Sequence, residues 1–349
     1  MSADELYIRR CFEIALLGAG NVSPNPLVGS VIVYNDKIIG EGWHQKYGGP
    51  HAEVNAVNSV KTSDLGLLKD STIYVSLEPC SHYGITPPCA ELVLKHQFSR
   101  VVMSCIDPNP KVSGRSVKMF KDAGIQVTTG VLEKEGQWLI RMFSHAMFSS
   151  RPYIVLKFAQ TKDGFMGQQG KQVWINNPLS KRLSHQWRNE LDAIMIGTNT
   201  ASTDNPTLNN RLWFGKSPVR VALDRKAKLS VKANIFSEDV RTIVYAEPAY
   251  LTGNKHHNDH YKPLTFGENM IPVLLEDLFK NEQIKSLLIE GGAQLLNSFI
   301  NQNLWDEARI STSNHFLETG IKAPNVTGEL VSKDQLGSDE WVIIRNKNA

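Results

Sequence analysis

No apolar run in the 349-residue sequence approaches the ~18 residues that a membrane-spanning helix needs, which argues against a membrane span. Cysteine is scarce, with four residues (Cys11, Cys80, Cys89, Cys105), too few for a disulfide-built fold of this length. The opening stretch MSADELYIRRCFEIALLGAG lacks a basic segment leading into a long apolar core, so no export signal is expected. Reduced thiols in a cytoplasmic setting are therefore expected. Charge of one sign is also missing: 38 Lys and Arg stand against 35 Asp and Glu, and a net +3 is too weak a field to imply a nucleic-acid partner. Internal repeats and low-complexity tracts are absent. What is present, 41% hydrophobic and 21% charged residues, describes an ordinary globular chain long enough for two domains.

Strand and helix patterns alternate along both halves. Ile8, Cys11, Phe12 and Ala15 lie on one helical face that ends near Gly18. LVGSVIVYNDKIIGEGWH predicts a hairpin turning at Asn35-Asp36. A helix starts near His51, STIYVSLEPC is a strand, AELVLKHQF a helix and RVVMSCIDP another strand. SVKMFKDAGI then forms a helix stopped by Gly124, IQVTTG a strand, and GQWLIRMFSHAMF a closing helix. The order implies an α/β sandwich with a largely parallel sheet. SSRPYIVLKFA restarts the pattern, so the boundary falls near Ser150, giving domains 1–148 and 149–349. In the second domain YIVLKF, LDAIMIG, VRVALD, RTIVYA and KSLLIEGG read as strands. TGNKHHNDHYKP reads as a surface loop, and KDQLGSDEWVIIRNKNA contains one closing strand.

The segment EPCSHYGITPPC, residues 78–89, places two cysteines with eight residues between them, and PHAEVNAV upstream offers His51 and Glu53. Two thiolates and an imidazole suit zinc, and a catalytic zinc takes three protein ligands with one position left open. His-x-Glu followed by Pro-Cys and a second Cys is the pattern of the zinc deaminases. There the Glu is not a ligand but carries protons between the attacking water and the leaving amine. The candidate ligands are thus His51, Cys80 and Cys89, each expected at or near a helix start, and the catalytic residue is Glu53. A structural zinc is the alternative, with His82 or His44 as a fourth ligand.

The eight-residue cysteine spacing, with NPLVGSVIV upstream and DPNPKVSGRSVKMFKDAGI downstream, resembles the bacterial bifunctional riboflavin-biosynthesis deaminase/reductase family. The resemblance implies a cytidine-deaminase-like three-layer α/β domain. It also implies hydrolytic deamination of a pyrimidine ribosyl phosphate, with Asn25 in the base-binding loop and His44 approaching the substrate. One position departs from the family: a basic residue usual in the loop between the cysteines is Ile85 here. Lys46, Arg115 or a neighbouring subunit would have to take over the substrate phosphate.

LKFAQTKDGFMG, QVWINNP, IMIGTNTASTDNPTLNNR and LLIEGGAQLL are similar, in order, to the reductase half of the same family. This implies a dihydrofolate-reductase-like α/β fold that uses NADPH. The resemblance places cofactor contacts at Ala159, Trp174, Thr200, Asp204, Gly291 and Gly292. It places substrate contacts at Lys157, Arg188, Leu208, Arg211 and Glu290. Arg188 and Arg211 suit a bidentate phosphate clamp. Gly291-Gly292 at a strand end lets backbone N–H groups approach a diphosphate. Arg225, ending VRVALDR, is the candidate reader of the NADPH 2′-phosphate. The expected whole is a homo-oligomeric, cytoplasmic, two-step enzyme acting on a small molecule. A deaminase acting on nucleic-acid bases and a non-catalytic zinc-stapled scaffold are its rivals.

Overall fold

Side-chain alternation along the strands decides which helices cover which face of the first half. The computed structural model describes residues 1–348 except 111, 172, 238 and 253–258. The chain divides into two units, Met1–Ser149 and Ser150–Ala349. The first begins with α1 (Ala3–Ala15), the hairpin β1 (Gly29–Tyr34) and β2 (Lys37–Trp43), and α2 (Ala52–Ser59). β3 (Thr72–Leu77), α3 (Cys89–His96), β4 (Arg100–Cys105), α4 (Arg115–Asp122) and β5 (Gln126–Thr128) follow. α5 (Glu133–Leu139) and α6 (Arg141–Phe148) close the unit, the single helix expected there being broken at Ile140.

The sheet order is β2-β1-β3-β4-β5. β1 runs antiparallel to both β2 and β3, and only β3–β4–β5 are parallel, so the sheet is mixed rather than largely parallel. The reason is local. Asn35 and Asp36 hold φ of +46° and +59°, the two-residue turn whose twist matches a hairpin, and it folds β2 back as an edge strand. Ile32, Ile73, Val75, Val101 and Met103 pack with Ala56, Val93 and Phe120 on one face. The alternate residues Val31, Val33, Tyr74 and Val102 pack with Ile8, Cys11 and Ile14 of α1 on the other. Three layers result.

The second unit contains β6 (Tyr153–Gln160), β7 (Phe165–Gly167), α7 (Pro178–Glu190), β8 (Ala193–Ile196), α8 (Thr198–Asp204) and β9 (Val219–Leu223). β10 (Thr242–Ala246), β11 (Tyr261–Pro263), α9 (Met270–Lys280), β12 (Ser286–Ile289) and α10 (Ala293–Asn301) come next. β13 (Glu307–Thr312), β14 (Ile321–Lys322), β15 (Glu329–Leu336) and β16 (Asp339–Arg345) complete it. The main sheet has order β11-β10-β9-β8-β12-β6-β13-β16-β15, parallel from β11 to β13 and antiparallel beyond. The C-terminal segment is therefore a hairpin, not one strand. Within the stretch expected as a surface loop, Tyr261–Pro263 form an edge strand, and residues 253–258 lie outside the described residues. In an open parallel sheet, ligands bind at the carboxyl ends of the strands. Those ends carry Lys157 and Ala159 (β6), Gly197 (β8), Arg225 (β9) and Glu290 to Gly292 (β12).

One contact in the first unit fixes the position of α2. A Cβ added at Gly42 on β2 would lie 2.2 Å from the backbone N of Ala56 and 2.6 Å from the carbonyl O of Ala52. Both are backbone atoms of α2 and have no rotamer by which to yield. Gly42→Ala is expected to destabilise this unit by about 1–3 kcal/mol and to displace His51. A lowered urea midpoint with reduced zinc content, reductase activity being retained, is the predicted result.

Candidate active sites

His51 is the N-cap of α2, Cys89 is the first residue of α3, and Cys80 lies in the loop after β3. Cys80 is thus not at a helix start itself. Its Sγ instead accepts the backbone N–H of Cys89 at 3.3 Å, so the positive end of α3 favours its thiolate. The ligand atoms of these three residues lie within 4.8 Å of one another. His51 Nδ1 is 3.5 Å from Cys80 Sγ and 3.3 Å from Cys89 Sγ. Tetrahedral zinc, with bonds of ~2.3 Å to S and ~2.0–2.1 Å to N, sets such pairs about 3.5 Å apart, so the donors fit zinc. His51 Nε2 lies 3.4 Å from Thr86 Oγ1, a contact that orients the ring with Nδ1 toward the sulfurs.

Among the described residues, no fourth protein ligand joins the cluster. His82 is exposed and outside the cluster. His44 engages both ring nitrogens, Nδ1 at 3.0 Å from Pro50 O and Nε2 at 3.1 Å from Asn25 Nδ2. A carbonyl only accepts, so Nδ1 carries the proton and Nε2 accepts from the Asn25 amide. The rings of His44 and His51 meet edge to face at 5.4 Å, which brings Asn25 and His44 beside the ligand cluster. A three-ligand set is the catalytic rather than the structural arrangement.

A hydrogen bond from Cys89, together with one from His51, lowers Cys80 to about 4 despite its burial, while Cys89 is pushed well up by Cys80 and by burial. Glu53, in the first turn of α2 and 3% exposed, is raised above the ordinary carboxylate range by burial and by Cys80, with His51 opposing. A carboxyl of this kind can both take and return a proton. Ile85 is 75% exposed, and Lys46 and Arg115 are exposed as well.

In the second unit the charged residues meet around Glu290. Arg188 donates from Nη2 and Nε to the Glu290 carboxylate at 2.7 and 3.3 Å and from Nη1 to Asn209 O at 3.1 Å. Burial pushes Glu290 up, but Arg188 and Lys157 outweigh it and hold the carboxyl at about 2. Burial lowers Lys157, and Arg188 lowers it further. Arg188 is committed to Glu290, whereas Arg211 is exposed, and among the described residues its guanidinium bonds to Asn209 Oδ1 within its own loop. Leu208 is buried with φ of +53°, a left-handed conformation that L side chains avoid and that functional loops retain.

Thr200 Oγ1 accepts the N–H of Gly292 at 3.0 Å, tying α8, which ends at Asp204, to the glycine turn that opens α10. Ala159 sits opposite Ser311 in the β6–β13 pair. Trp174 is 64% exposed under Lys181, whose Nζ is 4.1 Å from the ring centroid. Arg225 is 60% exposed, its Nε 3.6 Å from Glu247. Sequence reading missed His185 and Glu78. Glu78 stands inside the quoted motif, and its carboxylate accepts N–H bonds from Asp107, Gly114 and Ser116. A carboxylate between Leu77 and Pro79, where a strand ends, was the available signal.

Residues 1–105 match the family model of the cytidine and deoxycytidylate deaminase zinc-binding region, and residues 152–317 match that of the RibD C-terminal domain. The chain is 38% identical over 311 residues to the riboflavin biosynthesis protein RibD of Bacillus amyloliquefaciens, covering 87% of this chain and 82% of that one. It belongs to the RibD family. The RibD of Aquifex aeolicus is 35% identical, with 96% and 90% of the two chains covered. Among solved structures, a diaminohydroxyphosphoribosylaminopyrimidine deaminase/5-amino-6-(5-phosphoribosylamino)uracil reductase from Thermotoga maritima superposes with a TM-score of 0.87 at 35% identity, covering 99% of each chain. Acinetobacter baumannii RibD superposes at 0.84 with 33% identity and 98% of each chain covered. Both halves of the RibD enzyme, a zinc-dependent deaminase and a reductase, are present in this chain. Among the described residues, no helix is long and apolar enough to cross a membrane.

Purified protein is expected to contain about one zinc per chain. Cys80→Ser and Cys89→Ser should each lose most of it by elemental analysis, since a hydroxyl does not replace a thiolate. Full retention in both variants would contradict the ligand set.

Proposed function

We propose that residues 1–148 deaminate 2,5-diamino-6-ribosylamino-pyrimidinone 5′-phosphate and that residues 149–349 reduce the ribosyl chain of the product with NADPH. The observation that carries the first step is the His51, Cys80 and Cys89 cluster beside a buried Glu53 whose carboxyl is raised above the ordinary range. Zinc held by His51, Cys80 and Cys89 supplies a Lewis acid that makes water a nucleophile near neutral pH. Glu53 takes a proton from the attacking water as oxygen joins C2. It then delivers that proton to the exocyclic amine, which leaves as ammonia when the C2–N bond breaks. Asn25 gives its amide N–H to His44, which leaves its carbonyl oxygen to accept from a donor edge of the pyrimidine. With Ile85 in the cysteine loop, the substrate phosphate falls to another cation, Lys46 or Arg115.

In the reductase half, NADPH supplies a hydride to C1′ of the ribosyl group. The C1′–O bond breaks, and its oxygen takes a proton for which Lys157, within the electrostatic reach of Glu290, is the donor in this reading. Arg211 receives the substrate phosphate, with the buried Leu208 three residues before it in the same loop. Gly291, Gly292, Thr200, Asp204, Ala159 and Trp174 form the cofactor track along the carboxyl ends of the strands. A cytoplasmic setting accords with four free cysteines. A homo-oligomer accords with the apolar Leu179 and Phe214 left exposed on this half, at 53% and 75%.

Glu53→Gln should retain zinc and fold but lose at least ~10²-fold in ammonia release, because an amide cannot accept and return the proton. Its NADPH oxidation on deaminated substrate should be unaffected. Near wild-type ammonia release would remove Glu53 from the mechanism.

Arg225 makes a long, exposed contact to Glu247 and lies 5.9 Å from the centroid of the Phe266 ring, so it can turn to a 2′-phosphate. Arg225→Ala is expected to raise the KM for NADPH roughly tenfold, the loss of one charge-assisted hydrogen bond, and to leave that for NADH nearly unchanged. Equal effects on both cofactors would show that the residue does not read the phosphate.

A further inference from the structure

One face of α7 is wired to the loop that carries Arg211. His185, Arg188 and Asn189 are spaced i, i+3, i+4 and so share that face. Each holds a different backbone atom of residues 209–216. His185 Nδ1 accepts the N–H of Arg211 at 3.2 Å, Arg188 Nη1 donates to the carbonyl of Asn209 at 3.1 Å, and Asn189 Oδ1 accepts the N–H of Lys216 at 3.0 Å. The loop closes on Asn189 at Gly215, whose φ is +105° and where a Cβ would lie 2.1 Å from Asn189 Oδ1. Arg182, one turn before His185, lies over the Trp213 ring at 5.3 Å.

We propose that His185 is a positioning residue of the reductase half: its Nδ1 lone pair anchors the Arg211 backbone and thereby directs the Arg211 guanidinium toward the substrate phosphate. The imidazole is 2% exposed and has Arg188, Arg211 and Lys181 around it against the single carboxylate of Glu290. Burial and these cations lower its pKa to about 4, so the ring is neutral near pH 7. Because Nδ1 accepts, the proton of the neutral ring sits on Nε2. A cationic ring would turn a donor toward the Arg211 N–H and break the anchor. The cationic surroundings that bind the phosphate therefore also keep His185 in the form that positions Arg211.

The proposal rests on Arg211 being the phosphate-reading cation, and the test separates the two claims. Steady-state reductase kinetics on the full chain, with deaminated pyrimidine ribosyl phosphate as substrate, compare Arg211→Ala with three replacements of His185. The amide oxygen of Asn can occupy the Nδ1 position, whereas Gln extends its amide to the Nε2 position. His185→Ala and His185→Gln are expected to raise the KM for the phosphorylated substrate roughly tenfold with little change in kcat, the loss of one hydrogen bond to a half-buried donor. His185→Asn should return KM to within about threefold of wild type, since it restores an acceptor at the same place. NADPH affinity, read by quenching of protein fluorescence, should be the same in all of them.

If Arg211→Ala leaves KM unchanged, the phosphate reading fails and the positioning role fails with it. If Arg211→Ala raises KM but His185→Ala does not, the positioning role alone fails. Equal behaviour of Asn and Gln also overturns it, because only one of them can replace Nδ1. That comparison decides the matter even if His185→Ala does not fold.

Discussion

Three donor atoms within 4.8 Å of one another are the constraint around which the N-terminal half is arranged. Long side chains could reach a common point at a high entropic penalty, but His and Cys are short and must be delivered by backbone. Three elements do this. α2 rests directly on β2, allowed by the missing side chain of Gly42, and presents His51 at its first position. β3 ends at Leu77 and releases the chain toward Cys80. α3 begins at Cys89 itself and turns its first N–H onto Cys80. The eight-residue excursion between the cysteines leaves the protein surface and returns, which is why it tolerates exposed Tyr83 and Ile85 at 71% and 75%.

The two halves place the same residue type in opposite electrostatic settings. Glu53 and Glu290 are both shielded from water, a change that by itself disfavours the carboxylate. Glu53 meets thiolate character and only one imidazole, so desolvation prevails and its proton affinity rises. Glu290 meets Arg188 and Lys157, so the cations prevail and it stays charged. The first environment favours the protonated form of the carboxyl more than water does. The second makes a fixed anion that holds Arg188 and opposes the lowering of Lys157 by burial.

The zinc residues were legible because their spacing is local chemistry: a histidine and glutamate opening one helix, and a cysteine at the end of a strand with another at the start of the next helix. The strands of both sheets were legible where β-branched residues run together, as in VIVY, YIVLKF and SLLI. The mixed sheet was not, since an alternation of strands and helices does not reveal that a hairpin leads it. Neither was the C-terminal hairpin, whose β15 has exposure at most positions and so lacks an apolar face to announce it. His185 escaped for a related reason. Its role is a bond to a backbone N–H, and that depends on where a distant loop comes to rest. Helical spacing from Arg188 put it on the right face without saying what that face would meet.

Glu78 bears on how the deaminase half can hold a phosphorylated substrate without a cation at position 85. The first turn of α4, with backbone N–H groups at Gly114 and Ser116, would ordinarily suit an anion. The Glu78 carboxylate already takes both, at 2.9 and 3.2 Å, together with the Ser116 hydroxyl at 2.8 Å, and it is 3% exposed. A second anion at that helix end would lose these donors and face a buried negative charge. These bonds tie Asp107, Gly114 and Ser116 to the end of β3. What the helix leaves facing solvent there is the exposed side chain of Arg115, its first residue. An anion near α4 would consequently meet an exposed guanidinium, with weaker and more salt-sensitive binding than backbone donors would give.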